Sequence, residues 1–130
     1  MVSFSNFGSS KHPESEKTAR AVDLLRRRDP YLMVDGEMQA DTAVDIHKLT
    51  ELYDFSSLKE PANVLVFSNL TAANAAYKLL DRLGGAEVIG PILLGMSRPI
   101  HILQRGSTGQ DVLNLATIAS VDAQTRSPQN

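Results

Sequence analysis

The sequence predicts an α/β fold, a layered and mostly parallel sheet with flanking helices. Two observations point there. Strand-like and helical segments alternate along the chain, and no repeat or low-complexity stretch interrupts them. The run Ala62-Asn63-Val64-Leu65-Val66-Phe67 holds four consecutive apolar residues without alternation, as a strand buried on both faces would. In such sheets ligands sit at the carboxyl ends of the strands, so the loops after Phe4, Val34, Phe67 and Leu103 are where chemistry is expected.

The elements follow in order. Val2-Ser3-Phe4 alternates like a strand and leads into the small, polar loop Asn6 to Ser10. Pro13 suits a first helical position, Glu14 and Glu16 favour the positive helix end, and Ala19, Val22 and Leu25 share one face. Arg26-Arg27-Arg28 close that helix before Pro30. Residues 31–36 (YLMVDG) read as a short strand ending in a turn, and a second helical pattern carries Ile46, Leu49, Leu52 and Tyr53. After the 62–67 strand, Ala73, Ala76, Tyr77, Leu80 and Leu83 form a helical stripe that Gly84-Gly85 stops. Residues 89–103 read as two short strands or a bent one. In the last helix Ser107 and Gln110 are spaced as a capping box, and Val112, Leu115, Ala116 and Ala119 make the inner face.

A length of 130 residues is that of one domain, read as 1–125 with a flexible tail at 126–130. At 42% apolar residues, wholesale disorder is excluded. Thirteen Lys and Arg against fifteen Asp and Glu lack the basic footprint of a nucleic-acid binder. The absence of cysteine removes disulfides, thiolate nucleophiles and Cys-based metal sites. No apolar run approaches the roughly 18 residues of a membrane span, so a soluble, cytoplasmic chain is expected.

Four groups of residues suggest chemistry. Ser5 to Ser10, hydroxyl-rich between a strand and a helix, would suit a phosphate or carboxylate, or simply connect the two. Asp35, Glu37 and Asp41 share a loop, but their spacing matches no dedicated metal loop, and a solvated loop is the preferred reading. His12 and His47 read as surface residues and His101 as a partly buried structural one; no metal site is assigned. Gln104-Arg105-Gly106-Ser107-Thr108 sets an arginine, a permissive glycine and two hydroxyls before a helix that carries Asp111 in its first turn. This is the best anion-binding candidate, unless Arg105 merely pairs with Asp111 or Asp122.

The blocks SFSNFGSSK, VDGEMQADTA, NVLVFSNLTAANAAYKLLDRLGG, IGPILLGMSRPIHIL and RGSTGQDVLNLATIASVDAQ resemble, in order and over nearly the whole chain, the phosphotransacetylase (acetyl/butyryl phosphate transferase) family. The EMQADTA and VDAQ wording is most similar to the transacetylase-like C-terminal domain of bacterial multidomain NADP-dependent malic enzymes. The resemblance implies the C-terminal part of a two-subdomain fold with isocitrate-dehydrogenase-like topology, a cleft for CoA and acyl phosphate, and a homodimer or higher oligomer. The strand beginning at the second residue agrees with such a part. The family's catalytic stretch reads approximately SRGCSxxD. By that resemblance Gln104 stands at its serine, Arg105 at its acyl-phosphate arginine, Ser107 at its cysteine and Asp111 at its catalytic aspartate. Together with the loop reading above, the expected ligand contacts are Ser5, Gly8, Ser9, Gln104, Arg105, Gly106 and Ser107. The implied role is regulatory binding of acetyl-CoA or acyl phosphate within an enzyme that oxidatively decarboxylates malate to pyruvate, with active acetyl transfer as the alternative. No cofactor is assigned to this segment. NADP and a divalent metal would belong to an upstream domain, because no dinucleotide fingerprint occurs here.

Overall fold

The computed structural model describes residues 1–125. The tail assigned to 126–130 lies outside the described residues. The helices are α1 (Pro13–Arg28), α2 (Ala40–Val44), α3 (Ile46–Leu52), α4 (Leu70–Gly84) and α5 (Gly109–Thr125). The described residues fall into two compact units, one over residues 1–78 and one from Leu79 onward.

In the first unit, α1 begins as its sequence dictates. The His12 ring accepts from the Glu14 N–H, Pro13 opens the helix, and the arginines fill its last turn. Its buried face is Ser15, Thr18 and Val22, with Ala19 and Leu25 only partly covered. Ser15 and Thr18 tolerate burial because each hydroxyl donates to a backbone carbonyl, Ser15 to Ser10 and His12, Thr18 to Glu14. The expected second helix is two, broken at Asp45. That carboxylate accepts from the His47 and Lys48 N–H groups and so starts α3 afresh.

The layered sheet does not form among the described residues. Three extended stretches meet only through two parallel bridges, Val2 with Met38 and Val2 with Phe67. Val2 N–H donates to the Val66 carbonyl at 2.8 Å, Ser3 N–H to Met38 at 2.9 Å, and Met38 N–H to Met1 at 3.2 Å. Residues 31–36 are not the strand they were expected to be. The Leu32 N–H folds back onto the Asp29 carbonyl, and the Val34 carbonyl is taken by the Arg26 guanidinium, so pairing begins beyond them. The 62–67 run pairs only at its end, which leaves Val64 69% and Val66 45% exposed. Ladders need a second segment alongside, whatever the local propensity.

The core of this unit is Met38, Ala43 and Leu49, packed by Phe7, Ile46, Leu58, Ala62 and Leu65. Gly36 is required at φ +128°, because an added Cβ would lie 2.6 Å from the Met1 carbonyl oxygen. Beside it a largely apolar cavity of about 650 Å³ opens, lined by Leu25, Leu32, Met33, Leu58, Val64 and Val66 among others.

Asp35 ties the unit together. Its carboxylate accepts from the Gly36 N–H, the Ser56 hydroxyl, the Ser57 N–H and hydroxyl, and Arg26 Nη2 at 2.6 Å. Burial pushes this carboxyl up, and the hydrogen bonds from Gly36, Ser57 and Ser56 outweigh it, leaving it below the usual carboxylate range.

In the second unit, Gly85 at φ +64° ends α4, and the Ala86 N–H reaches back to the Leu80 carbonyl. The stripe expected on α4 contributes no buried residue, and Leu83 is 82% exposed. Residues 89–103, expected as strands, form no bridge among the described residues, and Ile100, Ile102 and Leu103 are exposed. On α5 the expected inner face narrows to Leu115, with Val112 and Ala116 exposed.

Asp35→Ala should destabilise the first unit by about 2–4 kcal/mol, since it strands two serines and an arginine at once. The folded pKa lies below the unfolded value of about 3.9, so the stabilisation is complete above that pH and is lost as pH falls through the folded value. Urea titrations across the acid range should show this limb in the parent protein and a flattened one in Asp35→Asn; identical limbs would refute the role.

Candidate functional site

The Ser5–Ser10 loop stands at the head of α1. Phe7 (φ +48°) and Gly8 (φ +83°) are both left-handed. Every backbone N–H from Ser5 to Ser10 donates within the chain. Ser5 gives to Ser3 Oγ, Asn6 to Ser9 Oγ, Phe7 to the Glu37 carbonyl, Gly8 to Glu37 Oε1, Ser9 to the Asn6 carbonyl and Ser10 to Ser5 Oγ. Of the residues implied as ligand contacts, Ser5 is fully buried while Gly8 and Ser9 are exposed.

The solvated acidic loop expected at Asp35, Glu37 and Asp41 is not what folds. Asp35 and Glu37 are buried, and only Asp41 is exposed, paired with Lys48. Each carboxylate serves a different set of donors, and no cluster among the described residues is placed to hold a metal ion. Spacing alone could not reveal this, because the partners of Glu37 lie about thirty positions upstream. The histidines also separate. His12 caps α1, His47 is exposed, and both ring nitrogens of His101 are buried without a hydrogen-bond partner among the described residues.

In the second unit, Gln104 to Ser107 form a tight turn. Gly106 takes φ +87°, and both the N–H (3.2 Å) and the hydroxyl (2.8 Å) of Ser107 donate to the Gln104 carbonyl. The capping box exists one residue later than expected, as Thr108 and Asp111. The Thr108 N–H and hydroxyl donate to Asp111 Oδ2 at 2.7 and 2.8 Å, and the Asp111 N–H returns to Thr108 Oγ1. Gln110 instead bonds Asn114. The backbone and hydroxyl bonds from Thr108 hold the Asp111 carboxyl below the usual range. Arg105 is exposed and pairs with neither Asp111 nor any other acid in the described ion pairs. The arrangement therefore offers an uncommitted guanidinium beside the N-terminus of a 17-residue helix, a setting that favours an oxyanion.

Residues 1–120 match the family described as phosphate acetyl/butaryl transferase. The chain is 43% identical over 123 residues to the phosphate acetyltransferase of Bacillus subtilis (strain 168), spanning 95% of this chain and 38% of that protein. It is 41% identical over 128 residues to the NADP-dependent malic enzyme of Escherichia coli (strain K12), spanning 97% of this chain and 17% of that enzyme. It superposes on a phosphotransacetylase from Streptococcus pyogenes with a TM-score of 0.90 at 37% identity, over 96% of this chain and 38% of that one. The chain thus spans well under half the length of the relatives it matches.

Thr108→Ala removes both the cap and a donor to Asp111. Amide exchange in the first turn of α5 should quicken roughly fivefold, while Thr108→Ser should leave it unchanged. Equal exchange in Thr108→Ala and the parent would show that the box does not hold this turn.

Proposed function

The chain belongs to the phosphate acetyl/butaryl transferase family, and from that premise we propose that it is part of the transacetylase-like domain of an NADP-dependent malic enzyme, binding acetyl-CoA or an acyl phosphate to regulate and assemble that enzyme rather than to turn the ligand over. The observation that carries this reading is Gln104. Its amide can donate to and accept from a carbonyl, but it cannot relay a proton as the serine of the resembled motif would. Its neighbours keep the binding half of the motif. Arg105 is free to fork onto a phosphoryl group, Gly106 and Ser107 set the turn that presents it, and Asp111 is engaged as the cap of α5.

The serine loop, expected to bind through Ser5, Gly8 and Ser9, is the second contact in this reading; with the Ser5 hydroxyl and the Gly8 N–H given to Glu37, it meets the ligand through its exposed serines. Regulation requires the ligand to bind one conformational or assembly state better than another. Apolar side chains as exposed as Val64, Leu83 and Leu94 favour packing against further protein, in keeping with a homodimer or larger assembly in the cytoplasm. The oxidative decarboxylation of malate to pyruvate is assigned to an upstream domain together with its NADP and divalent metal. The acidic residues here do not suit that metal, since Asp35, Glu37 and Asp41 are each committed to separate partners.

The second reading, an active phosphate acetyltransferase moving acetyl between phosphate and CoA, is favoured by the 43% identity to the Bacillus subtilis enzyme. It needs Ser107 or Thr108 to stand in for the missing serine, and the hydroxyls of both are bonded within the turn and cap.

Acetyl-CoA titrated into the full-length protein should change malate turnover or oligomeric state. Arg105→Ala should raise the half-effect concentration about tenfold, as the loss of a charge-assisted contact requires. No effect of saturating acetyl-CoA on either readout would end the regulatory reading. Thioester formation from acetyl phosphate and CoA by the parent protein would install the transferase in its place.

A further inference from the structure

We propose that Glu37 is a positioning residue of the serine loop: its carboxylate is the anion around which Ser5–Ser10 closes, so the chain itself supplies the anion that orders the loop. The inference rests on the reading that this loop contacts acyl phosphate or acetyl-CoA. Glu37 is 3% exposed, and no lysine, arginine or histidine among the described residues forms an ion pair with it. A carboxylate so placed must be matched by neutral donors. Oε1 receives two, the Ser5 hydroxyl at 2.7 Å and the Gly8 N–H at 2.6 Å, both of charge-assisted length.

The backbone is shaped for this. Successive left-handed residues at Phe7 and Gly8 turn adjacent N–H groups inward, one to the Glu37 carbonyl and one to its carboxylate, in the concave form that elsewhere collects anions. An aromatic residue rarely adopts such a φ, and Phe7 is held there by ring contacts with Tyr53 at 5.1 Å and Phe55 at 4.9 Å. The influence of Glu37 reaches the surface through Ser5. The buried Ser5 hydroxyl bonds Glu37 on one side and lies 3.4 Å from Ser9 Oγ on the other, and Ser9 is exposed. Ser5 and Gly8 therefore serve Glu37, and the hydroxyls the loop presents outward are those of the exposed Ser9 and Ser10. Inorganic phosphate finds no free backbone donor in the loop.

Hydrogen exchange read by mass spectrometry on the full-length protein tests this locally. In the parent, the peptide covering Asn6 to Ser10 should exchange slowly and be indifferent to added phosphate. Glu37→Ala should speed its exchange about tenfold or more, whereas Glu37→Gln, which keeps an acceptor oxygen in place, should stay within about threefold of the parent. Formate, filling the space left by the missing carboxylate, should restore slow exchange to Glu37→Ala, and chloride should not. Should Glu37→Ala fail to fold, Glu37→Asp carries the test, its shortened side chain loosening this peptide alone.

Acetyl-CoA affinity, measured in parallel, should fall about tenfold in Glu37→Ala and recover in Glu37→Gln. An unchanged loop in Glu37→Ala, or a Glu37→Gln loop as fast as that of Glu37→Ala with no formate response, overturns the proposal. A parent protein that binds no acetyl-CoA yet shows the loop effects overturns the functional reading and leaves the positioning role of Glu37 standing.

Discussion

Two buried carboxylates, Asp35 and Glu37, organise the first unit, and the constraint is electrostatic: a charge taken out of water must be given donors by the protein. The two residues draw on opposite parts of the chain. Asp35 gathers the end of α1 through Arg26 and the 56–57 turn through its serines, while Glu37 gathers the Ser5–Ser10 loop. Because they are separated only by Gly36, satisfying both fixes the segment between them. Met38 is thereby delivered to the centre of the core and against Val2.

The second unit shows the same economy on a smaller scale. Thr108 and Asp111 satisfy one another at the start of α5, and Arg105 forms no ion pair with Asp111. The serine loop is the reverse case. Its donors are fully employed by the chain itself, so whatever it offers a ligand comes from its outer hydroxyls and not from its backbone.

Local signals are legible in the sequence. Pro13, the acidic first turn and the triple arginine bounded α1, and Gly85 stopped α4, because capping is decided by neighbours a few residues away. The cap of α5 was displaced by one residue, since serine and threonine are adjacent and either can serve. What could not be read was set by distant partners. Glu37 and Asp35 looked like solvated loop acids because their donors lie far along the chain, and the 62–67 and 89–103 runs looked like strands because apolar patterning reports what a segment would pair with, not whether the pair is present. The place of Arg105 just ahead of a helix start is legible from the sequence. The engagement of Asp111 was not, because the spacing pointed to Ser107 and Gln110 instead.

Val2 has a consequence for the order of assembly. It bridges Met38 on one side and Phe67 on the other, so it sits between two segments that are made after it. Loop closure over such distances is slow compared with helix formation. During synthesis α1, α2 and α3 can therefore form while Val2 waits, and the unit closes only after Phe67 has left the ribosome. Until then the stretch around Val2 lacks both of the segments that cover it.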